Sequence, residues 1–179
     1  MDDVVLWREQ LLGARKTKDE SFVRDPYSPI PPSTRRTFQG LKYFDPDPAY
    51  AVEARLERSA APSLVVIEAS GGDERRYLDV GPARFRLHGQ DLELRVWEPV
   101  DDAEDEPYIF IALRDATSGK ETYGGGRYFD TDPPGPDGRF VLDFNRAYHP
   151  YCTYDDSWSC VIPPAANWLT VEVRAGERL

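Results

Sequence analysis

RRYLDVGPARFRLHGQDLELRVWEP, residues 75–99, decides the fold class. It holds three short candidate strands, RRYLDVG, ARFRLHG and DLELRVWEP, bounded by Gly, Pro and Asp, and LHGQDLE has the composition of a hairpin turn. Strands joined this tightly pair antiparallel, because a parallel pair needs a crossover of a dozen or more residues, usually a helix. The same pattern extends outward on both sides. Tyr50, Val52, Ala54 and Leu56 alternate with Ala51, Glu53, Arg55 and Glu57, so one face is apolar and the other charged, as in a half-buried strand. SLVVIEAS, YIFIALRD, GRYFDT, GRFVLDF and LTVEVRAG bring the total to about nine strands. The fold class is therefore all-β, an antiparallel barrel-like or two-sheet sandwich. ASGGDERR reads as another hairpin turn, DPPGPDG as a rigid loop and PVDDAEDEP as a wet acidic one. The acidic run from Asp101 to Glu106 lacks the ordered ligand spacing and turn glycine of an EF-hand.

Ahead of the strands, Val4, Trp7, Leu11 and Ala14 recur at helical spacing, and Asp2 and Asp3 stand near the positive end of the helix dipole. This predicts one amphipathic helix within residues 1–24. RDPYSPIPPSTRR then contains four prolines, which remove amide donors and hold their predecessors extended. The expectation is a proline-rich arm draped across an edge or mouth of one β domain, residues 25–179.

At 179 residues the chain suffices for one well-buried core. Its charge of -10 would repel a phosphate backbone, so no nucleic-acid partner is expected. No apolar run approaches the roughly 20 residues that span a bilayer, and MDDVVLWREQ lacks the apolar region of a signal peptide. The expected location is cytoplasmic, with no membrane partner. Cys152 and Cys160 fit three arrangements: a reduced, partly buried pair, a disulfide, or two ligands of an incomplete metal site. A reducing compartment favours the first.

RDATSGKETYGGGRYFD, residues 114–130, invites a phosphate-loop reading that fails twice. Arg114 stands where the first glycine belongs, and Glu121 takes the hydroxyl position. The triple glycine opens no helix after a parallel strand, so the dinucleotide fingerprint is absent too. Two strands joined by a glycine loop remain, either a plain hairpin or one wall of a pocket. In VLDFNRAYHPYCTYDDSWSCVIPP, polar side chains again cluster at a strand end, where ligand groups are commonly mounted. Cys152 and His149 are three positions apart, but spacing alone does not define a nucleophile pair. The paired cysteines of structural zinc and the Gly-x-Ser-x-Gly elbow are missing. No catalytic residue is assigned, whether the protein is an enzyme stays open, and neither a metal nor a cofactor is expected.

RDATSGKETYGGGRYFD, LDFNRAYHPYCTYDDSWSC, IPPAANWLTVEVRAGE and FQGLKYFDPDPAY together resemble the domain of unknown function DUF1684, from the proline-rich arm onward. The family pattern usually reads Asn-Pro where this chain has His149-Pro150. The resemblance implies no established activity. The functional expectation is a pocket for a small anionic ligand, walled by Arg114, Asp115, Thr122, Tyr123, Arg127, Tyr128, Asp143, Asn145 and Tyr148. Its arginines would recognise a carboxylate or phosphate. The competing reading is a non-catalytic structural or interaction domain in which these residues form an internal salt-bridge network. Oligomeric state is not legible.

Overall fold

The computed structural model describes residues 2–101 and 107–179. One helix, α1 (Asp2–Arg24), precedes seven strands: β1 (Ala51–Leu56), β2 (Ser63–Glu68), β3 (Glu74–Leu87), β4 (Gln90–Pro99), β5 (Ile109–Leu113), β6 (Arg127–Thr131) and β7 (Arg139–Asp143). All of them belong to one curled antiparallel sheet ordered β6-β5-β4-β3-β1-β7, with β2 paired to β3 beside that path. The barrel-like form of the expected all-β fold is the one adopted. Most of the acidic run, residues 102–106, lies outside the described residues, whereas Asp101 pairs with Arg76 on the surface. No helix among the described residues is long and apolar enough to cross a membrane.

Seven strands replace the nine expected for two reasons. RRYLDVG and ARFRLHG are one strand, β3, whose register slips between Asp79 and Gly81. The first half of β3 pairs with β2 and the second with β1, while β4 follows its other edge from Tyr77 to Leu87. A glycine is required at the slip. Gly81 has φ +128°, and a Cβ there would collide with the Glu57 carbonyl. Gly81→Ala is therefore expected to lower unfolding stability by about 2 kcal/mol or more, read from a urea titration. An unchanged midpoint would mean that the bulge relaxes around the methyl group.

The second difference is LTVEVRAG, which is not a strand. Leu169, Val171, Val173 and Ala175 are buried in alternation, as the period-two pattern demands. The carbonyls of Val173, Ala175 and Glu177, however, accept hydrogen bonds from the Arg127 guanidinium instead of from a neighbouring strand.

The sheet is buried on both faces near β5, where all five residues are buried. Ile109, Ile111 and Leu113 join Leu94, Val96 and Phe129 inside the curl. Phe110 and Ala112 point the other way and pack with Tyr77, Trp97, Tyr128 and Val161. That outer face is covered because the chain after β7 folds back over it. Tyr148 exchanges both backbone hydrogen bonds with Tyr128, at 2.8 and 3.0 Å, and Ala69 bridges Val161.

Helix α1 ends at Arg24, just ahead of Asp25-Pro26. Its inward stripe differs from the one expected, because Val4 and Ala14 are exposed. Leu11 and Phe22 are buried, and the intervening turns contribute buried Arg15 and half-buried Lys18. The proline-rich arm packs over α1 and the C-terminal segment: Phe38 stacks on Phe22, and Tyr43 bridges Glu177.

Candidate functional site

Successive side chains of a strand leave opposite faces of the sheet, so the nine candidate residues cannot share one wall. On β6, Arg127 and Phe129 face the interior, whereas Tyr128 and Asp130 face outward.

The inward set is an ion network. Arg127 Nη2 donates to Asp115 Oδ2 at 2.7 Å, and both side chains have 0% exposure. Asp115 Oδ1 also accepts from Thr117 N at 2.8 Å, Thr117 Oγ1 at 2.6 Å and Val173 N at 3.2 Å. Thr122 Oγ1 lies 3.0 Å from Thr117 Oγ1. The remaining Arg127 donors go to the three C-terminal carbonyls, leaving only its Nε without a partner among the described residues. The glycine loop serves this packing: Gly126 has φ +96°, and its Cα lies so close to the Leu113 carbonyl and Pro163 that a Cβ would not fit.

Asp143 and Asn145 act elsewhere, fastening α1 and the arm to the end of β7. Trp7 Nε1 donates to Asp143 Oδ2 at 2.8 Å. Asn145 donates to the Asp47 carbonyl at 2.8 Å and accepts from Asp47 N at 2.9 Å. Arg114 lies over the Trp168 ring, 4.7 Å from its centroid. None of these residues lines the cleft on the outer face of the sheet.

Tyr128 and Tyr148 do. Both line a cleft of about 860 Å³ on the outer face of the sheet. Its walls include Tyr77, Tyr108 and Phe110 from the sheet side, and Tyr151 and Trp158 from the folded-back segment. Lys18, Arg75, Asp130 and Asp132 supply charge, and Cys160 supplies a thiol. Tyr128 donates its hydroxyl to the Val161 carbonyl at 2.7 Å, and Tyr148 donates to Asp130. Burial is the main force raising both phenols above their ordinary range; Asp130 adds to the effect at Tyr148. They remain protonated donors at neutral pH.

Lys18 connects the cleft to a second buried cluster. Its Nζ lies 4.5 Å from the Tyr148 ring centroid and donates to Glu177 Oε1 at 2.6 Å. Glu177, 2% exposed, also accepts from His149 N at 2.7 Å and Tyr154 Oη at 3.2 Å. Tyr123 belongs here: its N–H donates to His149 Nε2 at 3.2 Å, and its hydroxyl lies 3.7 Å from Cys152 Sγ. Burial, followed by the positive charges of Arg127 and Lys18, brings His149 down to about 3. Its imidazole is neutral, with Nε2 the acceptor. Among the described residues no three His, Cys, Asp or Glu side chains converge as a metal site.

Sequence reasoning missed Lys18, Glu177, Arg75 and Trp158. Lys18 carried a signal, since it lies seven positions after Leu11 and four before Phe22 on the buried helix stripe. Glu177, at the end of the chain, carried none.

A family model described as a protein of unknown function (DUF1684) matches residues 36–178. No curated protein matches the chain. Among solved structures, the chain is similar to an uncharacterized protein of Haloarcula marismortui determined by solution NMR. The two are 40% identical, with a TM-score of 0.77, over 99% of this chain and 97% of that one.

Proposed function

This chain belongs to the DUF1684 family, whose description assigns no activity, and from that premise we propose that it binds a small planar organic ligand carrying an anionic group in the outer-face cleft. The observation that carries this reading is the gathering of seven aromatic side chains on one cleft of about 860 Å³, a size and makeup suited to a small molecule. Aromatic walls favour a flat ligand by offset stacking and edge contacts. The Tyr128 and Tyr148 hydroxyls, whose protons go to the Val161 carbonyl and Asp130, offer their oxygen lone pairs as acceptors. Lys18 and Arg75 provide positive charge, each already beside a carboxylate, Glu177 and Asp73. The ligand's anion would join these pairs, and Asp130 and Asp132 would accept from its donor groups. The Arg127–Asp115 network is scaffold in this reading, because it fixes the inner side of the strand whose outer side presents Tyr128.

The test is a panel of planar carboxylates and phosphates beside neutral and cationic aromatic compounds, read by thermal shift and by Trp158 fluorescence. A ligand that binds only the native state, at a hundredfold over its Kd, adds about 2.7 kcal/mol and raises Tm by roughly 5–10 °C. Trp158→Ala should weaken that ligand at least tenfold, on the order of one aromatic contact, whereas Trp168→Ala, outside the cleft, should not. Binding confined to neutral or cationic compounds would remove the anionic part of the reading. No shift across the panel would remove the cleft.

A further inference from the structure

We propose that Cys152 and Cys160 form a dithiol modification site, which closes reversibly to an intrachain disulfide by exchange with a small-molecule disulfide. The two residues are eight positions apart, yet they meet: Cys160 Sγ accepts a hydrogen bond from Cys152 N at 3.3 Å. Both thiols are free and half-buried. Each is also held by its own anchor. Cys160 exchanges backbone and side-chain hydrogen bonds with Ser70, at 2.8 and 3.1 Å. Cys152 follows Tyr151, whose ring packs edge-on against Trp158 at 5.0 Å and Phe22 at 6.2 Å. The Cys160 thiol therefore sits against the Cys152 backbone before any bond joins the two residues, a proximity that a disulfide needs.

Access is also present. Cys160 lines the open cleft, so a small disulfide reaches the pair from solvent. The Tyr123 hydroxyl lies 3.7 Å from Cys152 Sγ, close enough for a hydrogen bond in which either group can donate. Burial holds back the Cys160 thiol, which leaves Cys152 as the attacking group in this proposal. The Cys152 thiolate attacks one sulfur of the reagent RSSR; the S–S bond breaks and one RS⁻ leaves, taking up a proton. Cys160 then loses its proton to solvent, attacks the Cys152 sulfur of the mixed disulfide and displaces the second thiol. Two protein thiols are oxidised to one disulfide, and RSSR is reduced to two RSH. Burial holds the Cys160 thiol up at about 11, so the closing step is slow at neutral pH and quickens as pH rises.

Closure would staple the wall that carries Trp158. The test uses the full-length protein with oxidised glutathione under native conditions, followed by maleimide trapping, denaturation and intact-mass measurement. The expected product is two hydrogens lighter, takes up no maleimide, melts roughly 5 °C higher as suits a short closed loop, and reverts with dithiothreitol. Cys160→Ser should stop at the glutathione adduct. The proposal is overturned if the wild type keeps both thiols, stops at glutathione adducts, or forms only interchain disulfides. None of these readouts involves a cleft ligand, so the dithiol stands or falls apart from the binding reading.

Discussion

Arg127→Ala is expected to cost about 3–5 kcal/mol of unfolding stability, because it leaves a charged partner buried without compensation. Asp115 has 0% side-chain exposure and would lose its only cation within salt-bridge distance among the described residues. The carbonyls of Val173, Ala175 and Glu177 would lose their guanidinium donors at the same time, and each unsatisfied buried acceptor adds to the loss. Lysine should not rescue, since one ammonium cannot reproduce the planar fork that reaches three carbonyls and a carboxylate together. Urea unfolding gives the number. The double variant Arg127→Ala/Asp115→Ala should cost less than the two single losses combined, as one charge no longer strands the other. A loss below about 1 kcal/mol for Arg127→Ala, the range of an exposed pair, would mean that the C-terminal segment is held mainly by its apolar side chains.

Acid should destabilise the protein through His149, and His149→Gln should remove that part of the pH dependence. The imidazole is neutral in the folded state, its value brought down from 6.5 to about 3 first by burial and then by Arg127 and Lys18. Between those values the unfolded chain binds a proton that the folded chain does not, so stability rises with pH across the window. The contribution is fully present above about 6.5 and is lost as pH falls toward about 3, with a slope near 1.4 kcal/mol per pH unit and a total of roughly 5 kcal/mol. Glutamine keeps an acceptor for Tyr123 N–H but does not titrate. Carboxylates steepen the lower part of the curve in both proteins, so the informative quantity is the difference between wild type and variant from about pH 5 to 6.5, above most carboxylate titrations. Superimposable profiles would show that the His149 site admits a proton and water without loss of structure.

The all-β class was legible because its evidence is local. Alternation in Tyr50–Glu57, hairpin chemistry at His88-Gly89 and the prolines after Arg24 act over a few residues, and the structure places a strand, a turn and a helix end there. The merger of RRYLDVG with ARFRLHG was hidden, since Gly81-Pro82 reads as a boundary. Only the continuous β4 on the far edge makes it a bulge. LTVEVRAG misled for the opposite reason: its alternation reports burial, and burial does not reveal whether a strand or an arginine satisfies the backbone.

For the candidate site, the sequence by itself determined which residues would be concentrated around the strand ends: Arg114, Asp115, Thr122, Tyr123, Arg127, Tyr128, Asp143, Asn145 and Tyr148. The tertiary structure decided how they divide. Arg127 and Asp115 turn inward to each other, Asn145 holds the arm, and Tyr128 and Tyr148 alone of these reach the cleft beside Lys18 from the distant helix. The physical reason is that side-chain direction alternates along a strand, whereas a cavity is made by segments far apart in the chain, whose meeting depends on how the sheet curls and what folds back over it.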